Sequence, residues 1–257
     1  MYNHNSGGGF LKSLPPCTKN ILIINVGLWL VCSFIPGFGG KIIDLMGLHY
    51  WAGSDFNPVQ IFTYMFLQAP AERGMTGFGH IFFNMFALYM FGRILEATWG
   101  SRRFLLFYFV CGVGAALLQE TVWAFTAHTE WIDALAVQNG TSADSIRQAI
   151  AFDPAAAQAG YGAFKNALLT IGASGAIFGL LLGFACVFPN VPMYLFFVPV
   201  PIKAKWLVLG YAVLEFVFGI TGTQSMVAHF AHLGGMLFGI PLILYWKQKG
   251  TLHGRGF

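Results

Sequence analysis

The chain reads as an all-α polytopic membrane protein, and three observations say so. Of its 257 residues, 56% are hydrophobic and 17% aromatic. Only 9% are charged, where a soluble domain carries about a quarter. The apolar residues also fall in runs long enough to cross a bilayer. At roughly 17 to 25 mostly apolar residues per crossing, six spans emerge over 20–38, 78–99, 104–127, 168–189, 206–223 and 226–246. They form one membrane domain, 1–257, with loops at 39–77 and 128–166 and a tail at 247–257.

The segment 1–19 is polar, Gly-rich and broken by Pro15 and Pro16. It does not read as a cleaved signal peptide, so the first span is expected to stay in the membrane. If the N-terminus is cytoplasmic, the inner segments hold Lys12, Lys19, Arg93, Arg102, Arg103, Lys203, Lys205, Lys247, Lys249 and Arg255. The outer ones hold Lys41, Arg73, Arg147 and Lys165. That bias, with an even number of spans, predicts both termini in the cytoplasm; the short N-terminal segment and plain six-helix layout look like those of a bacterial plasma-membrane protein.

The formal charge of +4 forms no basic stripe interleaved with aromatics, which argues against a nucleic-acid partner. Cys17, Cys32, Cys111 and Cys186 lack metal-ligand spacing and read as small hydrophobes without a disulfide.

The first outer loop carries His49, Tyr50, Trp51, Phe56 and the run from Ile61 to Leu67. Such a loop is expected to be membrane-associated, lying partly in the interface. In the second, Thr141-Ser142-Ala143-Asp144 precedes an Ala-rich segment, which predicts a short surface helix ending at Asp153-Pro154.

Polar side chains inside the spans are costly and therefore informative. Spans 2, 4 and 6 run from outside to inside, so their N-terminal ends share one level of the bilayer. Span 2 opens with His80 and Asn84, on one helical face at i, i+4; span 4 has Ser174; span 6 has His229 and His232. Taken alone, His80 and Asn84 read as interhelical glue, and Ser174 as one small residue of a packing face. Together, at one depth, they suggest chemistry.

Gly175, Gly179 and Gly183 recur at four-residue spacing, as do Ala231, Gly235 and Gly239. Two such small-residue faces are expected to meet, bringing Ser174 and His232 within reach. His232 would then act as general base and acid for a Ser174 nucleophile. The Ser174 backbone N–H, the Asn84 amide and a His80 ring nitrogen would hold the oxyanion. Gly172 and Gly175 let backbone approach the hydroxyl, and Phe178 could pack on His232. No carboxylate is expected to orient the base.

Three histidines at one level permit a metal, but no H-E-x-x-H helix or flanking acid accompanies them, so no metal and no cofactor is expected. His229 is assigned a supporting or water-binding role. Glu120 is expected at the interface in solvent, and Glu215 in a hydrogen bond or protonated.

At this point the pattern resembles the rhomboid family of intramembrane serine proteases. The resemblance rests on His80-Ile81-Phe82-Phe83-Asn84, Gly172-Ala173-Ser174-Gly175, and Ala231-His232-Leu233-Gly234-Gly235 with Gly239, and on Glu96, Gly100, Arg103 and Phe104. It runs from about Ile61 to Gly239. It implies a six-helix rhomboid fold with a Ser174–His232 dyad, His80 and Asn84 around the oxyanion, and single-span transmembrane substrates cut in the lipid bilayer near its outer surface. The chain departs from the family in four places. Val59-Gln60 stands where many relatives have Trp-Arg, Gln68 to Gly77 reads as an insertion, Phe178 replaces a frequent Tyr, and His229 replaces an occasional Asn. Competing readings are a non-proteolytic relative that binds and escorts transmembrane helices, and a small transporter, which Glu215 alone keeps in play.

Overall fold

The computed structural model describes residues 13–195, 198–222 and 228–253. Lys12, Arg255 and the expected start of the sixth span at Met226 lie outside them.

Helix α1 (Pro16–Phe34) begins on a proline pair, whose fixed φ and missing N–H suit a first turn. It is followed by α2 (Gly39–Met46), β1 (Leu48–His49) and α3 (Gln60–Thr63). Helices α4 (Met75–Ala87) and α5 (Arg93–Trp99) are joined by a π-helical turn, Leu88–Gly92, into one 25-residue span. Then come α6 (Ser101–Gln138), α7 (Ala143–Phe152), α8 (Pro154–Ala167), β2 (Leu169–Thr170) and α9 (Ser174–Val187). The chain closes with a hairpin of β3 (Pro192–Leu195) and β4 (Val198–Lys203), then α10 (Ala204–Thr221) and α11 (His229–Gln248).

Among the described residues, five helices are long and apolar enough to cross a bilayer: α1, the α4–α5 unit, α6, α10 and α11. The expected fourth span, 168–189, is realised as α9, which is only 14 residues long. Residues 168–173 do something else. Leu169 and Thr170 pair antiparallel with His49 and Leu48, and Gly172 N–H donates to the Tyr64 carbonyl at 3.1 Å. Gly172 has φ 136, a value that suits glycine, so the helix starts two residues later. At 1.5 Å per residue α9 is about 21 Å long, short of the roughly 30 Å hydrocarbon core.

The third span also differs from expectation. It is expected to end at 127 but continues as α6 to Gln138 and carries a small satellite core of Trp131, Ile132, Ala136 and Ile146 with α7 and α8. The short helix expected in this loop is α7; its cap, Ser142 Oγ, accepts from Ser145 N at 3.1 Å. Asp153-Pro154 ends α7 and starts α8.

The first loop is more than interfacial. Tyr64, Met65 and Leu67 are buried in the main core, and Tyr64 Oη donates to the Gly112 carbonyl at 2.7 Å. The glycine at 112 makes this possible, because a side chain there would collide with Met65. Glu120 is not solvated: it is 1% exposed, and its Oε2 accepts from Trp51 N–H at 2.8 Å. Folding the first loop down onto α6 buries it.

Helix α9 is the axis of the bundle, apolar on all sides and buried along most of its length between α6 and α11. Helix α10 lies at the periphery, with only 17% of its span buried. Its Glu215 is therefore the residue that most needs explaining.

Candidate active site

The meeting of small-residue faces occurs as the spacing predicts. A Cβ at Gly235 would fall on the backbone carbonyl of Gly175, and one at Gly179 would stand 3.0 Å from the Gly235 carbonyl. Gly175 also faces Ala115 and the Ala231 carbonyl, and Gly239 faces Phe107 and Cys111. Helices α9 and α11 thus touch backbone to backbone, with α6 filling the third side.

That contact sets the distance between Ser174 and His232. His232 Nε2 lies 2.8 Å from Ser174 Oγ. The ring of Phe178, one turn beyond Ser174, stacks on the imidazole at 4.2 Å between centroids and 4° between planes. His232 is buried at 8% exposure, and Ser174 is half-buried at the first residue of α9. Its backbone N–H is among those a helix start leaves without an intrahelical acceptor.

Helix α4 supplies the facing wall. His80 Nδ1 accepts a hydrogen bond from Ala69 N–H at 3.1 Å. In a neutral ring that puts the proton on Nε2, the nitrogen turned toward α9. A Cβ at Gly172 would stand 3.1 Å from His80 Nε2 and 3.5 Å from Ser174 Oγ, so the glycine keeps the space between these two groups open. Asn84, buried, donates one amide hydrogen to Gln68 Oε1 at 2.8 Å. Gln68 in turn donates to Asn25 Oδ1 at 2.8 Å, and Asn25 to the Ile21 carbonyl at 2.9 Å. This chain of amides fixes the Asn84 side chain, whose NH2 has a second hydrogen to offer. His80, Asn84, Gly172, Ser174, Phe178 and His232 all line one cavity of about 430 Å³.

Two features were not legible in the residue pattern. Gln68 and Arg73, both in the inserted segment, belong to the site: the first orients Asn84, and the second lines the cavity. A polar residue ending the apolar run Ile61 to Leu67 was the available signal for Gln68. The larger correction concerns the base. A carboxylate does face it: Glu215 Oε2 lies 2.9 Å from His232 Nδ1 and 2.7 Å from His229 Nδ1. The orientation of α10 about its own axis decides this, and no apolar stripe in that helix announces it. Glu215, His229 and His232 bring one ligand atom each within 4.8 Å of one another, so an acid does stand beside the two histidines.

The arrangement therefore has a hydroxyl, a base in contact with it, hydrogen-bond donors across a cavity and a low-dielectric surround. These are the parts of nucleophilic acyl transfer.

Comparison with known proteins agrees with the fold. The family model described as Rhomboid domain matches residues 56–249. Rhomboid-like protein 11, chloroplastic, from Arabidopsis thaliana is 26% identical over 245 residues, covering 87% of this chain and 62% of the relative. The chain thus spans less than two thirds of the length of that curated relative.

Proposed function

The chain belongs to the rhomboid family, and on that premise we propose that it is an intramembrane serine endopeptidase. The observation that carries this reading is the 2.8 Å contact between His232 Nε2 and Ser174 Oγ at the start of a short, buried helix. In the proposed reaction Ser174 Oγ attacks a peptide carbonyl carbon while His232 Nε2 takes its proton. The Ser174 N–H, His80 Nε2–H and the second Asn84 amide hydrogen receive the oxyanion, aided by the positive end of α9. Collapse breaks the C–N bond, His232 returns the proton to the leaving amine, and an acyl ester remains on Ser174. Water, activated by the same nitrogen, releases the acid and regenerates the hydroxyl.

The substrates are single-span membrane proteins within the bilayer. A transmembrane helix must open before its carbonyl can be attacked, which favours cleavage near the surface, where water satisfies the freed backbone. The Lys and Arg bias supports a site toward the outer face of a plasma membrane, with both termini inside. The Arabidopsis relative is named as chloroplastic, and a bacterial-type inner membrane is the location proposed here.

The test is reconstitution of the full chain in liposomes with a single-span reporter. Cleavage by the native protein and none by Ser174→Ala is expected. Reporter binding without cleavage by the native protein would replace this reading with that of a helix escort.

A further inference from the structure

A carboxylate in a peripheral membrane helix is costly unless a partner compensates it. Glu215 sits in α10 among Val213, Leu214, Phe216 and Val217, all exposed on the bundle surface, yet its own side chain is only 13% exposed. It turns inward, to the two histidines at the start of α11. The approach is close because Gly219, one turn on, leaves room for Phe230 and His229; a Cβ there would stand 3.0 Å from the Phe230 ring and 3.4 Å from His229 Cβ.

The two nitrogens of His232 are thereby divided between two tasks. Nε2 faces the Ser174 hydroxyl at 2.8 Å, and Nδ1 faces Glu215 Oε2 at 2.9 Å. A carboxylate accepts and cannot donate, so its presence selects the tautomer with the proton on Nδ1. That tautomer leaves the Nε2 lone pair for the serine proton. His229 secures the same oxygen with an aligned hydrogen bond of 2.7 Å. The His232 contact has the distance of a hydrogen bond but not its alignment. Catalytic hydrogen bonds of this kind tighten as the reaction proceeds. When Nε2 takes the serine proton the ring becomes a cation beside a fixed anion, in a medium where charges interact more strongly than in water.

We propose that Glu215 is a positioning residue for His232, held in place by His229, so that the site works as a Ser174–His232–Glu215 triad. This deepens the reading of Ser174 and His232 as nucleophile and base, and rests on it. Phe178 sets the plane of the imidazole; Glu215 sets its rotation and its tautomer.

The experiment measures kcat and KM on a single-span reporter in proteoliposomes for the native chain, Ser174→Ala, Glu215→Gln and Glu215→Asp. Glutamine keeps the size and a hydrogen-bonding oxygen but removes the charge. Glu215→Gln is expected to lower kcat about 10²-fold with KM changed by less than about two-fold, the pattern of an interaction made in the transition state. Glu215→Asp, which keeps the charge, should retain more of kcat than Glu215→Gln. Native kcat in Glu215→Gln, with Ser174→Ala inactive, would overturn the triad and leave the protease reading intact. Equal losses in the Gln and Asp variants would mark Glu215 as merely structural and also overturn it. Native activity abolished by EDTA would reassign Glu215, His229 and His232 as metal ligands. No Ser174-dependent turnover in the native chain would sink both readings.

Discussion

Glu96 and Glu215 stand at opposite ends of the bundle, and each answers the cost of a buried carboxylate in its own way. Glu96, 2% exposed, accepts from Cys17 N–H, Thr18 N–H, Thr18 Oγ1 and Ser101 Oγ at 2.6–2.9 Å. Its partners are backbone amides and hydroxyls that keep their protons. It caps α1, ties that helix to the start of α6, and lies near Trp99 and Arg103, which donate to the carbonyls of Leu252 and Thr251 at 2.7 and 3.1 Å. Glu215 has two imidazoles instead. In the proposed reaction His232 takes up and returns a proton, so a carboxylate beside it would couple to proton transfer rather than to rigidity. The same residue type is a staple at one end and, in the proposed triad, a participant at the other, and the difference lies in the donors.

Substitutions at the two ends should separate chemistry from stability. The largest effects belong to the reactive end: Ser174→Ala and His232→Ala should each lower reporter cleavage at least about 10⁴-fold, with the unfolding temperature unchanged in Ser174→Ala. The Glu215→Gln loss in kcat comes next, again at native stability. Glu96→Gln should do the reverse, costing roughly 2–3 kcal/mol of stability in thermal or denaturant unfolding while the folded fraction keeps its kcat. A Glu96→Gln protein that unfolds normally but cleaves slowly would erase the distinction between the two ends.

Gly235→Ala probes what links packing to chemistry. Its new methyl falls on the Gly175 carbonyl, so α9 and α11 must separate; about 2 kcal/mol of stability and part of kcat should go together. The smallest effect is expected of Tyr64→Phe, about 1 kcal/mol for the lost hydrogen bond to the Gly112 carbonyl, read as a lowered unfolding temperature.

What could be seen from residues alone follows a physical division. Span positions come from local hydrophobicity, and the shared level of His80, Asn84, Ser174 and His232 comes from counting crossings. The α9–α11 contact was legible because small residues at four-residue spacing leave no other reason for their pattern. Pairings distant in sequence were not legible. The late start of α9 depends on Leu48 and His49 pairing with Thr170 and Leu169. The burial of Glu120 depends on Trp51, 69 positions away. The Glu215–His232 contact depends on how α10 is rotated, and a lipid-facing helix carries little amphipathic pattern to report its rotation. A lone acid in an apolar helix was the signal that it had a partner.

If Ser174 is a nucleophile activated by His232, the folded, detergent-solubilised chain should react with a fluorophosphonate, the adduct being mapped by mass spectrometry. One modified residue, Ser174, is expected, with the adduct lost in His232→Ala protein that remains folded. An unlabelled native protein, or an adduct on another serine that persists without His232, would contradict it.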